Sequence, residues 1–145
     1  MIQTNVVGWD IGGAHVKAAA INPDGRIIAI YQQSCLLWKG IEQLRRAVEA
    51  IMQALADENC CHAITMTGEL VDLFESREDG VKQIIDTMTM LLPAKHCLIF
   101  AGKEGLLKTE QVRARHYQAI ASANWLASAY LAAQKVNSGL FVDIG

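Results

Sequence analysis

The stretch Val6–Ala14, which reads VVGWDIGGA, decides the fold. Its apolar, β-branched first part predicts a strand over 6–11, which carries a carboxylate near its end and is broken by Gly12 and Gly13. Because glycines have no Cβ, backbone N–H groups there can approach an anion closely. Asp10 would lie too near a bare phosphate without a cation between them, which predicts Mg²⁺ held partly through water. The alternative is that the two glycines only form a tight hairpin turn, which Asp10 hydrogen-bonds.

The rest of the chain predicts one mixed sheet with helices on its faces. The predicted strands cover 6–11, 15–21, 26–32, 62–67 and 97–100, with an Asn-Pro-Asp-Gly turn between the second and third. Apolar residues at spacings of three and four predict helices over 41–55 and 81–92, and an Ala- and Ser-rich helix over 109–136 is expected to be closely packed. Three antiparallel strands followed by α-β-α-β-α define an α/β fold with a mixed five-stranded sheet.

Length and composition indicate one ordinary globular domain. The chain has 145 residues, of which 52% are apolar and 19% charged, and this excludes a disordered or collagen-like chain. Thirteen Lys and Arg against fifteen Asp and Glu leave a net charge of −2. Because no basic face stands out, no nucleic-acid partner is expected.

No membrane partner is expected from the sequence either. Charges interrupt every apolar run before it reaches bilayer length, and the N-terminus lacks the basic start of a signal peptide. The four cysteines, Cys35, Cys60, Cys61 and Cys97, show no CxxC spacing. They are expected to be small buried apolar residues, and the protein is expected to be cytoplasmic.

A second Asp-Ile-Gly phrase closes the chain. Residues 140–145 read LFVDIG and place Asp143 at the end of an apolar strand, as the opening stretch places Asp10. Two such strands, each opening one half of a duplicated fold, would direct both carboxylates into one cleft. Because the chain stops there, we expect a domain over 1–138 and the first strand of a truncated second domain over 139–145.

Together these features resemble the actin-like ATPase superfamily, which includes sugar kinases, actin and Hsp70 chaperones. Asp10–Gly13 matches its first phosphate motif, and Asp143–Gly145 matches the start of its second. The resemblance covers the whole chain and implies a ribonuclease H-like, actin-type domain that forms the first half of a two-domain fold. It also implies that most of the second domain is missing, including the adenosine-binding segment. The phosphate-binding residues it implies are Gly12, Gly13, Ala14 and Gly145.

Three further phrases resemble a narrower group. Residues 8–17 (GWDIGGAHVK), 67–74 (TGELVDLF) and 123–127 (ANWLA) are similar to the hydantoinase/oxoprolinase-like proteins linked to tetrahydromethanopterin C1 transfer. Archaeal relatives of that group include the aminomethylfuran synthase of methanofuran biosynthesis. This resemblance implies an enzyme that joins an aminomethylfuran diphosphate to a tyramine-type phenol and releases pyrophosphate.

That reaction gives the candidate residues their roles. Displacing diphosphate needs charge neutralised on the leaving group and a more nucleophilic phenol oxygen. Mg²⁺ on Asp10 and Asp143, with Lys17 and the glycine amides on the diphosphate oxygens, would meet the first need. Glu69, just past the end of a strand, is the expected general base. Each of these two residues also has an alternative. Glu69 could be an acid in the first turn of a helix, where it faces the helix dipole, and Lys17 could be a solvated charge at the sheet edge.

One further candidate, Asn124, remains open to two interpretations. Asn124 either faces the cleft and binds substrate or is a satisfied polar group on a buried helix. Trp125 is expected to fill the core, since it lies on the same Ala-rich helix. His15 is expected to be a surface residue beside a turn rather than a base.

An ATP-dependent sugar kinase of the same superfamily is the main alternative, because its opening motif is the same. Sugar kinases usually follow the glycines with Thr or Ser, where this chain has Ala14. One kinase group also carries a base Asp at the position that here holds Ser122. Losing that proton acceptor would reduce the rate by roughly 10²–10⁴. ATP is a cofactor only under this alternative.

A third alternative is a non-catalytic binding or assembly module. The strand edge expected over 140–144 would be exposed and could pair with a separate second domain or with another copy of the chain. Homo-oligomer formation therefore stays open. Little turnover is expected from the 145-residue chain itself, because half of the cleft would be absent.

Overall fold

The computed structural model describes residues 4–56, 59–92, 96–136 and 138–142. Six strands and four helices lie in these ranges. The strands are β1 Val6–Ile11, β2 His15–Ile21, β3 Ile27–Ser34, β4 Cys61–Met66, β5 Cys97–Phe100 and β6 Leu106–Lys108. The helices are α1 Glu42–Leu55, α2 Arg77–Leu91, α3 Tyr117–Ile120 and α4 Asn124–Ala133.

The strands form one mixed sheet in the order β3-β2-β1-β4-β5-β6. β1 lies inside the sheet, antiparallel to β2 and parallel to β4. The parallel pairing requires a long crossover, and α1 supplies it. The predicted turn closes the β2–β3 hairpin: the Arg26 N–H donates to Asn22 Oδ1 at 2.9 Å, and Gly25 has a φ of 80°.

The closed face of the sheet is the surface that α1 and α2 cover. Alternate residues of each central strand point toward it, and in β1 these are Val7, Trp9 and Ile11, all buried. α1 and α2 pack against each other and share one apolar cluster with the strands. α2 begins at the N-cap Ser76, whose hydroxyl accepts the Asp79 N–H at 3.1 Å. Burial of this cluster is the main source of stability in the fold.

A polar contact joins two strands within the closed face. The indole N–H of Trp9 donates to Nδ1 of His62 at 3.1 Å, and both side chains are buried. Trp9 lies on β1 and His62 on β4, so this hydrogen bond ties the two central parallel strands together within the core.

Three of the four cysteines are buried, as the sequence predicts. Cys35, Cys60 and Cys97 are buried, and Cys61 is half-buried. Burial raises the pKa of the Cys35 thiol to about 11, and burial together with the neighbouring Cys60 and Cys61 thiols does the same for Cys97. These groups behave as small apolar residues of the core at neutral pH.

The open face is the opposite surface of the sheet. Gly8 and Asp10 of β1 point toward it, as do Ala63 and Thr65 of β4. α4 lies beside this surface, and none of its ten residues is buried. The open face is therefore only partly covered within the described ranges.

The prediction of one long helix over 109–136 is wrong. Two 3₁₀ turns at Thr109–Gln111 and Ala114–His116 are followed by the four-residue α3 and the ten-residue α4. Ser122 separates the two helices and has a φ of 51°, a left-handed conformation that a right-handed helix cannot contain. Trp125, predicted to fill the core, is 52% exposed, because α4 lies on the open face.

The α/β class with a mixed sheet that the sequence predicts is confirmed, with six strands rather than five. The narrower actin-type, ribonuclease H-like assignment stays a prediction. The additional strand, β6, follows a turn over 102–105 that reverses the chain and lets β6 pair antiparallel with β5. No strand forms over 140–142, and the remainder of the predicted strand lies outside the described residues. No helix in the described ranges has the length and apolar character that crossing a bilayer requires.

Candidate functional site

Asp10 and Lys17 form the polar end of the open face. They are register partners on β1 and β2, and Lys17 Nζ lies 3.6 Å from Asp10 Oδ2. The lysine side chain is 56% exposed and the aspartate 32%, so solvent screens this ion pair. The other carboxylate oxygen, Oδ1, is buried, and no atom of the described residues hydrogen-bonds it. Because a buried carboxylate oxygen without a donor is costly, Oδ1 offers a contact point for a donor or cation that a ligand brings.

Thr65 lies next to Asp10 on β4, and the sequence did not single it out. The two residues are register partners in the parallel β1–β4 pair, and the Thr65 hydroxyl donates to the Trp9 carbonyl at 3.1 Å. Both lie near the carboxyl ends of parallel strands, where open α/β sheets bind their ligands. The alternation of β4, with a Thr on its open-face side, is the sequence signal that could have indicated this residue.

In the hairpin between β1 and β2, Gly12 makes a close backbone contact. The Gly12 N–H donates to the His15 carbonyl at 3.0 Å, and a Cβ on Gly12 would lie 2.9 Å from the same oxygen. The Gly12 amide is therefore used within the hairpin. The amides of Gly13 and Ala14 donate no backbone hydrogen bond within the described ranges, so they are candidate donors to an anion. The phosphate-binding role of this loop stays a prediction.

A cleft of about 820 Å³ lies between α4 and the open face. Its floor includes a row of small residues on β2, β1 and β4. Gly8 is the register partner of Ala19 on one side and of Ala63 on the other. A cleft of this volume lies within the range of small-molecule sites.

The cleft has aromatic side chains on one wall and polar groups at one end. Phe100 of β5 and Tyr130 of α4 meet edge to face, with ring centroids 6.3 Å apart. Asp10, Lys17 and Thr65 supply the polar groups. A mostly apolar cleft with a few convergent polar groups at one end is typical of a ligand site.

Glu69 belongs to a separate cluster that we call the Glu69 cluster, made of Glu69, Arg77 and Ser122. The Ser122 hydroxyl donates to Glu69 Oε1 at 2.6 Å, and Arg77 Nη2 lies 3.5 Å from the same oxygen and 3.0 Å from Ser122 Oγ. Glu69 is buried, and its Oε2 has no hydrogen-bond partner among the described residues. It lies in a 3₁₀ turn, Gly68–Leu70, rather than in the first turn of an α-helix.

The structure brings some of the predicted residues together and leaves others apart. Asp10 and Lys17 line the cleft. The other predicted site residues in the described ranges are not among those that line it: Gly12, Gly13, Ala14, Glu69 and Asn124. Asn124 Oδ1 accepts the Trp125 N–H at 2.7 Å at the start of α4. His15 is exposed beside the turn, as predicted. The predicted roles of Glu69 as base and Asn124 as substrate contact stay predictions.

A divalent cation would find one carboxylate at this site. No group of three or more His, Cys, Asp or Glu side chains that could hold a metal ion occurs in the described part of the chain. Mg²⁺ is nevertheless bound in many proteins by one or two carboxylates together with water and substrate phosphates. The buried Oδ1 of Asp10 fits such a substrate-dependent site. The second predicted ligand, Asp143, and the predicted phosphate contact, Gly145, lie outside the described residues.

Comparison with solved structures returns only partial matches. A Ppx/GppA phosphatase of Aquifex aeolicus is 13% identical and matches 61% of this chain and 34% of its own, with a TM-score of 0.38. A Sinorhizobium meliloti protein provisionally assigned as a 2-dehydro-3-deoxygalactonokinase is also 13% identical and matches 45% of this chain and 22% of its own, with a TM-score of 0.36. At such scores neither likeness bears on the activity of the chain.

Sequence comparison gives a more extensive match. No protein-family model matches the chain. The chain is similar to a (4-{4-[2-(gamma-L-glutamylamino)ethyl]phenoxymethyl}furan-2-yl)methanamine synthase of Methanocaldococcus jannaschii, with 29% identity over 143 residues. The match covers 97% of this chain and 40% of the relative. The chain therefore spans less than half the length of the synthase that it resembles.

Proposed function

We propose that this chain is the phosphate-binding part of a transferase that forms an aryl ether and releases diphosphate in methanofuran biosynthesis. The observation that carries the proposal is the similarity to the Methanocaldococcus jannaschii synthase along 97% of the chain. The product in that relative's name contains a phenoxymethyl-furan, in which a phenol oxygen is bonded to a methylene on a furan ring. The same proposal includes membership of the chain in the hydantoinase/oxoprolinase-like group and a location in the cytoplasm.

In the proposed reaction, the phenol oxygen forms a bond to the methylene carbon of an aminomethylfuran diphosphate. The bond from that carbon to the diphosphate oxygen breaks, and its electron pair leaves with the diphosphate. The phenol proton passes to a base, so the products are the ether, pyrophosphate and one proton. Because negative charge grows on the leaving group, positive charge and N–H donors near the diphosphate lower the barrier.

The residues at the polar end of the cleft suit the leaving group. Lys17 would contact a diphosphate oxygen through its ammonium group, which is accessible because more than half of the side chain is exposed. Asp10 would hold Mg²⁺ through its buried Oδ1, and this ion, when bound, neutralises diphosphate charge. The amides of Gly13 and Ala14 would donate to the same group.

The phenol requires a proton acceptor, and Glu69 keeps that proposed role. Its Oε1 is held by the Ser122 hydroxyl at 2.6 Å, and Ser122 lies two residues before Asn124, the proposed substrate contact. A phenol beside Ser122 could pass its proton through that hydroxyl to the carboxylate. The remaining part of the active cleft, including the proposed second carboxylate Asp143, would come from a second domain, which the relative's greater length supports.

The test uses the protein extended by whatever the gene encodes after Gly145. Pyrophosphate release is measured with an aminomethylfuran diphosphate, a tyramine-type phenol and Mg²⁺. Asp10→Asn keeps the shape of the side chain but removes its charge, so we expect a loss of roughly 10²–10³ in rate. Asp24→Asn is the matched control, because Asp24 is an exposed acid in the β2–β3 turn, outside the cleft.

Two results would contradict the proposal. One is pyrophosphate release that Asp10→Asn lowers no more than Asp24→Asn does. The other is consumption of ATP with a sugar in place of pyrophosphate release, which would favour the kinase alternative.

A further inference from the structure

We infer that the row formed by Gly8, Ala19 and Ala63 is the subsite for an aromatic ring of the substrate, whose phosphorylated end lies at Asp10 and Lys17. This inference rests on the proposed function and deepens it by assigning named residues to the ring of its substrate, an aryl-methyl diphosphate ester. The argument starts from the floor of the cleft.

No long side chain rises from the floor at this point, because three adjacent strands carry small residues as register partners. Gly8 pairs with Ala19 on β2 and with Ala63 on β4, so the row runs straight across the sheet. A Cβ built on Gly8 meets only the Ala19 carbonyl oxygen, at 4.0 Å, so the space above it is open. Such a strip accepts a planar group, whereas a β-branched residue at the same level would fill it.

The walls favour an aromatic occupant over a polar one. Phe100 and Tyr130 present an edge-to-face aromatic pair on one wall. Leu131 of α4 also lines the cleft, although its side chain is more than half exposed, and so does Ile30 of β3. Aromatic rings gain from both apolar burial and offset contact with other rings.

The polar end lies at the right distance for a substituent of that ring. Gly8 and Asp10 are two residues apart on the same face of β1, which places them about 7 Å apart along the strand. That distance is close to the reach from the centre of a ring through a methylene and an oxygen to a phosphate. Asp10 Oδ1, buried and without a partner among the described residues, lies at that end, and Lys17 is beside it.

The experiment separates the ring from the phosphate. Calorimetry on the 145-residue chain with Mg²⁺ compares two methylene-bridged diphosphate analogues, one a benzyl ester and the other a methyl ester. We expect the benzyl ester to bind at least about tenfold more tightly, because burying a ring contributes more than burying a methyl group. We expect Gly8→Val, whose added Cβ would meet no atom closer than 4.0 Å and whose methyl groups would occupy the floor, to remove that difference and leave the affinity for the methyl ester unchanged.

The matched control is Ser34→Val, which introduces the same β-branched side chain on an exposed strand position outside the cleft. It should preserve the difference between the esters. Equal affinities in the unchanged chain would overturn the ring subsite alone, and so would an unchanged ratio in Gly8→Val. Failure of both esters to bind would overturn the subsite and the diphosphate site together. A ring effect without pyrophosphate release from the extended protein would support the subsite and contradict the proposed reaction.

Discussion

The two faces of the sheet differ in how they are covered. On the closed face, α1 and α2 bury a continuous apolar cluster that includes alternate residues of β1, β2, β4 and β5. On the open face, α4 contributes no buried residue and leaves a cleft with a floor of small residues. The same strands thus supply stability with one set of side chains and a binding surface with the other. We expect side chains on the closed face to determine stability, and we expect side chains on the open face to determine ligand binding.

The largest expected difference between the faces is in the free energy of unfolding that is lost when an isoleucine is shortened to alanine. Ile11 on the closed face is fully buried, whereas Ile30 on the open side of β3 is 72% exposed. We expect Ile11→Ala to lower the free energy of unfolding by about 2–5 kcal/mol, and Ile30→Ala by less than about 0.5 kcal/mol. Denaturant titration of both variants measures this. Similar losses from the two variants would show that the open face is buried in solution.

The Glu69 cluster gives the next effect in size. Ser122→Ala removes the hydroxyl that donates to buried Glu69, and we expect a loss of about 1.5–3 kcal/mol in the free energy of unfolding. Ser122→Gly removes the same hydroxyl but suits the left-handed φ of 51°, so its loss should be smaller by about 1 kcal/mol. Ser128→Ala on exposed α4 is the control and should change little. Equal losses from Ala and Gly at position 122 would contradict the backbone part of this prediction.

Two glycines of β1 and its hairpin sharpen the comparison further. Gly12→Ala places a Cβ 2.9 Å from the His15 carbonyl oxygen, so the hairpin must shift, and we expect a loss of about 1–3 kcal/mol. Gly8→Ala meets nothing closer than 4.0 Å and should leave stability within about 0.5 kcal/mol. Thermal unfolding of the two variants distinguishes them. A stable Gly12→Ala would mean that the hairpin tolerates a side chain at this point.

The smallest effect at neutral pH is the titration of the buried thiols on the closed face. Burial raises the pKa of Cys35 and Cys97 from 9.0 to about 11. A group with a raised pKa in the folded state contributes its full stability below the unfolded value, and this is lost as pH rises through the folded value. We therefore expect the free energy of unfolding to fall between about pH 9 and pH 11. The Cys35→Ala, Cys97→Ala double variant should show a shallower fall, and an identical slope would contradict this assignment.

Much of the fold could be predicted from the sequence because the apolar residues of many strands and helices recur with a local period. The first strand was predicted with its observed bounds, Val6–Ile11, and the helix predicted over 41–55 corresponds to α1, Glu42–Leu55. In both, the apolar residues recur at the period of the element and point to the closed face. The three-residue β6 is too short to show any alternation, so its pairing with β5 was missed.

The error in the last predicted helix has a different physical origin: tertiary contacts overrode local propensity. Ala and Ser favoured one long helix over 109–136, but Ser122 adopts a left-handed conformation where its hydroxyl reaches Glu69. That hydrogen bond joins residues 53 positions apart, and no spacing in the sequence indicates it. Asp10 and Lys17 were predictable because the two strands of a hairpin place them side by side.

The hydrogen bond from Trp9 to His62 has a practical consequence for spectroscopy. Of the three tryptophans in the chain, only Trp9 lies inside the core, while Trp38 and Trp125 are about half exposed. An excited indole in a dry environment emits at shorter wavelength than one in contact with water. Replacing Trp38 and Trp125 by Phe would leave a single chromophore whose emission follows the separation of β1 from β4 as the protein unfolds.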